Sequence, residues 1–321
     1  MRLAVIGTGF VSDWMVEACR TLGTIVPVAV YSRSAERGAE FAGRHGIERV
    51  HTDLDEMLAR DDLEVVYIAS PMKLHAEQSM RALRAGKHVL CEKTLGVNLA
   101  EFDAIVAAAV DTNRVVVEEV RPMFDPAWEL IAARLGDLGT IRRAAFEMCQ
   151  YSSRYDAFRR GEVLNAFDPG LANAALLDIG VYCLHPALRL FGEPQRVQTT
   201  SIRLANGFDG AGTIVLDYPG HYTELSYSKI SHSVRPSVIE GEDASMLIDA
   251  MSAPTSVVIE YRDGRREVLV DEESTGPAHK FEYAVDGFVE LVLAGRIQHE
   301  RLAVSRLAMQ VIDRADVVRA D

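Results

Sequence analysis

MRLAVIGTGFVS, residues 1–12, is an aliphatic run that breaks at Gly7 and Gly9 and passes into a helical pattern from about Val11. Gly7 permits a tight strand-to-helix turn, and Gly9 lets a pyrophosphate approach the helix N-terminus, where unpaired N–H groups and the helix dipole favour an anion. Ser12 stands where the third small residue of a G-x-G-x-x-G fingerprint falls. Thr8, Phe10 and Val11 complete a loop expected to contact a dinucleotide. Alone, GTGFVS fits any tight turn, so its meaning depends on the pattern of the chain beyond it.

Beyond it, short β-branched runs alternate with helical patterns: IVPVAVYS (25–32), a helix over 35–44, EVVYIAS (64–70), HAEQSMRALRAG (75–86), HVLCEK (88–93) and RVVVEEV (114–120). Apolar strands separated by helices specify a parallel sheet covered on both faces. After RPMFDPAW (121–128) the pattern changes. A helix over 127–135, a strand TIRRAAFEMCQ (140–150), a polar segment (151–173) and a helix beginning near Asp178 precede strands between 197 and 270. These include GTIVLDY, HYTELSYS and SVVIEYRDGRREVLV, with Asp263-Gly264 expected as a two-residue hairpin turn. Helical patterns over 281–294 and 303–319 close the chain. The reading is an α/β Rossmann domain with a parallel sheet (1–121), followed by an α+β domain with an open, mostly antiparallel sheet (122–321).

A length of 321 residues exceeds the usual span of one hydrophobic core, which supports two domains. The net charge of -13 argues against nucleic acid and anionic membrane as partners and towards a small molecule. Cys19, Cys91, Cys149 and Cys183 lie far apart, with neither disulfide nor metal-knuckle spacing, so no metal is expected. The opening run is too short for a signal peptide or membrane span, and a cytoplasmic protein is expected.

The end of the second strand chooses between cofactors, because a carboxylate there suits the ribose of NAD, whereas hydroxyl and arginine suit a 2'-phosphate. YSRSAER places Ser32 and Arg33 at that tip, with Arg37 one helical turn on and no acidic residue at the strand end. NADP(H) is favoured, with NAD(H) as the alternative.

The stretches IASPMKLHAEQSMRALRAGKHVLCEKTLGVN (68–98) and LLDIGVYCLHPALRLFGEP (176–194) resemble the glucose-fructose oxidoreductase and inositol dehydrogenase (Gfo/Idh/MocA) family, and the likeness covers essentially the whole chain. The resemblance implies that Lys93, of a Glu92-Lys93 pair, lies beside the nicotinamide and that Asp178 and Tyr182 act on the substrate. Residues four apart share a helix face, which agrees with this pairing. Tyr182 is the expected acid/base, Lys93 the expected partner of the same oxygen or proton carrier, and Asp178 the group that orients hydroxyls. Ser70, Pro71, His75 and Glu92 are expected around the cofactor. Arg121, Tyr151, Arg154, Asn165 and His185 are candidate substrate contacts.

Each has a plainer alternative: Lys93 paired with Glu92 at the surface, Asp178 as a helix N-cap, Tyr182 or His185 packed in a core, His75 as a cap. Three departures from the family stand out. Thr94 replaces a proline, so a cis peptide before it is not expected; Met72 replaces a frequent asparagine; Asn173-Ala174 replace glycines. The expected activity is hydride transfer between NADP(H) and a sugar, polyol or cyclic diol, in a homodimer or homotetramer. An NAD-dependent glycosidase and a non-catalytic nucleotide-binding regulator are the competing functions.

Overall fold

The structure is a computed structural model and describes residues 1–272 and 277–315. The chain divides into two compact units, each described by itself. The first runs β1 (Arg2–Ile6), α1 (Phe10–Leu22), β2 (Val26–Tyr31), α2 (Ala35–His45), β3 (Arg49–His51), α3 (Leu54–Leu58), β4 (Val65–Ile68), α4 (His75–Arg84), β5 (His88–Glu92), α5 (Leu99–Thr112) and β6 (Val116–Glu119). Its six strands pair in parallel in the order β3-β2-β1-β4-β5-β6. All four residues of β4 are buried, as a strand covered on both faces requires. The chain steps outward from β1 to β3, then returns to place β4 on the other side of β1. Ligands bind such sheets beyond the strand ends at this reversal. Gly7 ends β1 there with φ of 108°, and a Cβ on it would lie 2.5 Å from the Ala69 carbonyl oxygen beyond β4, so only glycine fits.

The second unit begins at Val120 and contains α6 (Pro126–Ala133), β7 (Ile141–Cys149), α7 (Tyr155–Arg159), α8 (Val181–Phe191), β8 (Arg196–Arg203), β9 (Asp209–Tyr218), β10 (His221–Ser228), β11 (Ser237–Gly241), β12 (Ala244–Ile248), β13 (Ser256–Tyr261) and β14 (Arg266–Asp271). Its eight strands are ordered β14-β13-β12-β11-β7-β10-β9-β8, antiparallel except for the parallel pair β7 and β10. α8 and the turn before it cover one face over β7 and β10. On the other face, Arg143 pairs with Glu240 (3.0 Å) and Glu224 (3.3 Å), and Arg235 pairs with Glu147. The centre of that face is therefore charged rather than apolar.

Two further readings change. α9 (Pro277–Leu293) and α10 (Glu300–Ala315) as far as Arg306 belong with the first unit rather than with residues 122 onward. α9 packs on α1, with the Trp14 and Phe281 rings 6.1 Å apart, and Arg306 grips Asp103 through two 2.8 Å hydrogen bonds. The expected last helical residues, 316–319, lie outside the described residues. The β13–β14 hairpin turns on three residues, not two: Tyr261 N donates to Arg265 O, and Gly264 takes φ of 89°. Asp263 Oδ1 accepts the Arg265 N–H at 2.9 Å, which stabilises this wider turn with glycine in its left-handed position.

Candidate active site

The first unit carries the nucleotide-binding half. Gly9 is the N-cap residue of α1 without a side-chain cap, and a Cβ there would meet nothing within 4 Å. That open space in front of a helix N-terminus is the cradle a pyrophosphate fills. Phe10 is half exposed at its rim, and Ser12 is fully buried with its hydroxyl unpaired, packed where a third glycine would lie. At the end of β2 the Ser32 hydroxyl accepts from Ser34 N, and Ser34 caps α2 by accepting from Arg37 N, each at 3.3 Å. Arg33 and Arg37 are exposed, and among the described residues neither is held in an ion pair. The set fits a dinucleotide with a 2'-phosphate.

The ends of β4, β5 and β6 converge on one polar cluster. Lys93 follows β5 directly and is half-buried. Behind it the fully buried Tyr67 donates to Glu92 Oε1 at 2.7 Å, and Glu118 Oε1 accepts the Leu95 N–H at 2.9 Å. Burial first, then Glu92 and Glu119, push the Tyr67 hydroxyl well above its ordinary pKa, so it remains a donor. His75 starts α4 but does not cap it. Its Nδ1 lies 2.8 Å from Thr94 O and its Nε2 2.9 Å from Ser70 O, tying together the turns after β4 and β5. Burial pushes its pKa down, and a neutral imidazole has one N–H to share between the two carbonyls. Ser70 Oγ donates to Gln78 Oε1 at 2.7 Å, and Pro71 opens the short turn into α4.

The Lys93–Thr94 peptide is cis, contrary to the expectation drawn from threonine. Thr94 is fully buried, with its carbonyl held by His75 and the next N–H held by Glu118, contacts that the residue type alone does not reveal.

The second unit carries the expected substrate residues Asp178, Tyr182 and His185. Asp178 lies inside a π-helical turn, Leu176–Gly180, that runs into α8, so it is not an N-cap. The capping group is Asp209 of β9, whose Oδ2 accepts the Leu176 N–H at 3.0 Å. The Asp178 carboxylate, with its side chain 36% exposed, pairs at 2.6 Å with Lys229 Nζ, whose side chain is 5% exposed. Tyr182 is buried except for 6% of its surface, and Arg121 Nη2 donates to its hydroxyl oxygen at 3.0 Å. Arg121, expected against substrate, thus reaches the expected acid/base and lies 5.0 Å from its ring centroid. His185 is buried, and its Nδ1–H donates to Val181 O at 3.0 Å. Pro186 sits within α8 without ending it.

The segment 151–173 is folded around aromatic rings. Phe167, fully buried, lies 5.6 Å from Tyr155 and Phe158 and 4.9 Å from Phe208. Of the candidates there, Tyr151 donates to Asp156 at 2.7 Å, Arg154 is exposed, and Asn165 accepts from Asn173 through its backbone carbonyl at 2.6 Å. Sequence reasoning missed Tyr67, Asp209 and Lys229. Lys229 was signalled by period-two alternation: Thr223, Leu225 and Tyr227 are buried, and the next inward position is a lysine.

Burial raises the Asp209 pKa from its ordinary 3.8 to about 6. A carboxyl raised on folding contributes fully below about pH 4 and loses that contribution as pH rises through about 6, by about 3 kcal/mol. Asp209→Asn is expected to flatten the fall in stability between pH 4.5 and 7.5 measured by denaturant titration. An unchanged pH profile would remove Asp209 from this role.

Among the described residues no helix is long and apolar enough to cross a membrane, and no cluster of three metal-ligating side chains occurs. The parallel sheet with its glycine turn at the strand reversal, followed by an open sheet whose helix carries Asp178 and Tyr182, defines a two-domain dinucleotide-dependent oxidoreductase. Residues 1–120 match the oxidoreductase family with the NAD-binding Rossmann fold, and 127–246 match the GFO/IDH/MocA C-terminal domain. The chain belongs to the GFO/IDH/MocA oxidoreductase family. It is 42% identical to scyllo-inositol 2-dehydrogenase (NADP(+)) IolU of Bacillus subtilis, over 95% of this chain and 92% of that one. It is 31% identical to trans-1,2-dihydrobenzene-1,2-diol dehydrogenase of Oryctolagus cuniculus, over 80% and 76%. The 3-ketoreductase KijD10 of Actinomadura kijaniata, in complex with NADP and TDP-benzene, shares the fold with a TM-score of 0.85 at 24% identity, over 98% of this chain and 96% of that one.

Proposed function

We propose that this protein is an NADP(H)-dependent oxidoreductase that interconverts a hydroxyl and a carbonyl on a cyclic polyol or vicinal diol. The carrying observation is the carboxylate-free end of β2, where Arg33 and Arg37 are exposed beside Ser32 and unpaired among the described residues. The substrate class is supported by the relatives: scyllo-inositol and dihydrobenzenediol are both six-membered carbocycles with adjacent hydroxyls.

Bound NADP(H) supplies the hydride acceptor or donor. Tyr182 exchanges the hydroxyl proton, with Arg121 donating to its phenol oxygen. Lys93 hydrogen-bonds the reacting oxygen or carries its proton, and Asp178, held by Lys229, accepts from a neighbouring hydroxyl. Self-association as a dimer or tetramer and a cytoplasmic location complete the reading. All four cysteines are free thiols, as a reducing compartment permits.

The test is reduction of NADP+ followed at 340 nm with a panel of inositols, cyclic diols and sugars. Turnover confined to cyclic polyols or diols is expected. Glycoside cleavage without net cofactor reduction, or a tightly bound cofactor that never turns over, would replace the reading with a glycosidase or a regulator.

A further inference from the structure

A lysine at the end of an inner-face strand position normally turns its ammonium to water, because an unpaired buried charge is strongly disfavoured. Lys229 does the opposite. Its Nζ donates to Ala166 O at 2.8 Å, pairs with Asp178 Oδ2 at 2.6 Å, and lies 4.9 Å and 5.3 Å from the ring centroids of Phe167 and Phe208. Its backbone grips the same segment, since Ser152 N donates to Lys229 O at 2.9 Å, next to the bond from Gln150 N to Ser228 O at 2.8 Å. One residue therefore joins three parts of the second unit: the strand end, the turn bearing Asp178, and the 151–173 segment, which it holds at Ser152 and Ala166.

We propose that Lys229 is a positioning residue that couples the Asp178 carboxylate to the 151–173 segment, so that a substrate hydroxyl accepted by Asp178 is read together with the order of that segment. The inference rests on the assignment of Asp178 to the substrate, but its structural half does not. The ammonium holds one carboxylate oxygen from beneath while the carboxylate stays partly exposed to a ligand. It also holds the aromatic wall through Ala166 and the two rings. Removing the charge leaves a carboxylate and a carbonyl without their shared donor, and the two elements lose their common fixed point.

The test compares Lys229→Met, Asp178→Asn and the double variant in the full chain. Limited trypsin digestion reads the segment directly, since Arg154, Arg159 and Arg160 within it are exposed. Each single variant is expected to speed cleavage there, and the double variant to speed it no further than the faster single one. Kinetically, Lys229→Met is expected to raise KM for the polyol about 10- to 100-fold, the weight of a lost hydrogen bond to a charged group, with KM for NADP+ unchanged. Cleavage rates that stay at wild type, or that multiply in the double variant, overturn the coupling. Faster cleavage with an unchanged polyol KM makes Lys229 merely structural and also overturns it. Should the wild type oxidise no polyol, the proposed function and the substrate half of the inference fail together, and the digestion pattern still decides whether Lys229 joins Asp178 to the segment. Should Lys229→Met not fold, Asp178→Asn, at a partly exposed position, decides it alone.

Discussion

Lys93→Ala is expected to lower kcat by about 100- to 10,000-fold, the range of a positioned proton-transfer group, with little change in melting temperature or in NADP+ affinity. The separation of effects comes from the groups that hold the turn. Tyr67 secures Glu92, His75 secures the Thr94 carbonyl and Glu118 secures the Leu95 N–H, so the backbone around position 93 is fixed by neighbours rather than by the lysine. Alanine removes the ammonium and leaves its frame. Steady-state kinetics with saturating polyol, alongside a fluorescence titration of NADPH, reads the two quantities apart. A kcat within a few-fold of wild type would mean that Lys93 is a surface partner of Glu92, the plainer alternative.

Replacing Arg33 and Arg37 together by alanine is expected to reduce the preference for NADP+ over NAD+ by roughly 30- to 1,000-fold. The magnitude assumes about 1 to 2 kcal/mol from each guanidinium, the lower part of the range for charged hydrogen bonds because both side chains are solvent-exposed. kcat with NAD+ should stay near its wild-type value, since neither arginine belongs to the turn that bears Lys93. The ratio of kcat/KM for the two cofactors measures this. A ratio unchanged by the double substitution would place the 2'-phosphate contact elsewhere.

Both expectations trace to features readable in the sequence, and the reasons that others were not are physical. The glycine turn and the apolar parallel strands were legible because both arise from local sterics and burial. β3 and α3 were not, being three and five residues long, too short for either period to show. α5 also went unassigned: its run of alanine and valine blurs the contrast between faces, although Asn98 caps it by accepting the Glu101 N–H at 2.9 Å. Asp178, Tyr182 and Arg121 were named from the sequence, but the pairings of Arg121 with Tyr182 and of Lys229 with Asp178 were not. Lys229 and Arg121 lie 51 and 61 residues from their partners, and no local pattern encodes a pairing made by two strand ends. The two closing stretches were seen as helices, but α9 and the start of α10 were placed with residues 122 onward for the same reason, since α9 meets α1 across most of the chain.

Hydride transfer from a carbinol carbon to NADP+ leaves an isotopic trace that can be read on the cofactor itself. With a cyclic polyol deuterated at its carbinol carbons and unlabelled NADP+, mass spectrometry of the recovered cofactor should show one deuterium per molecule of NADPH formed, and the protein should release the corresponding ketone. Ketone without deuterium on the cofactor, or cleavage of a glycoside with the cofactor pool unreduced, would contradict it.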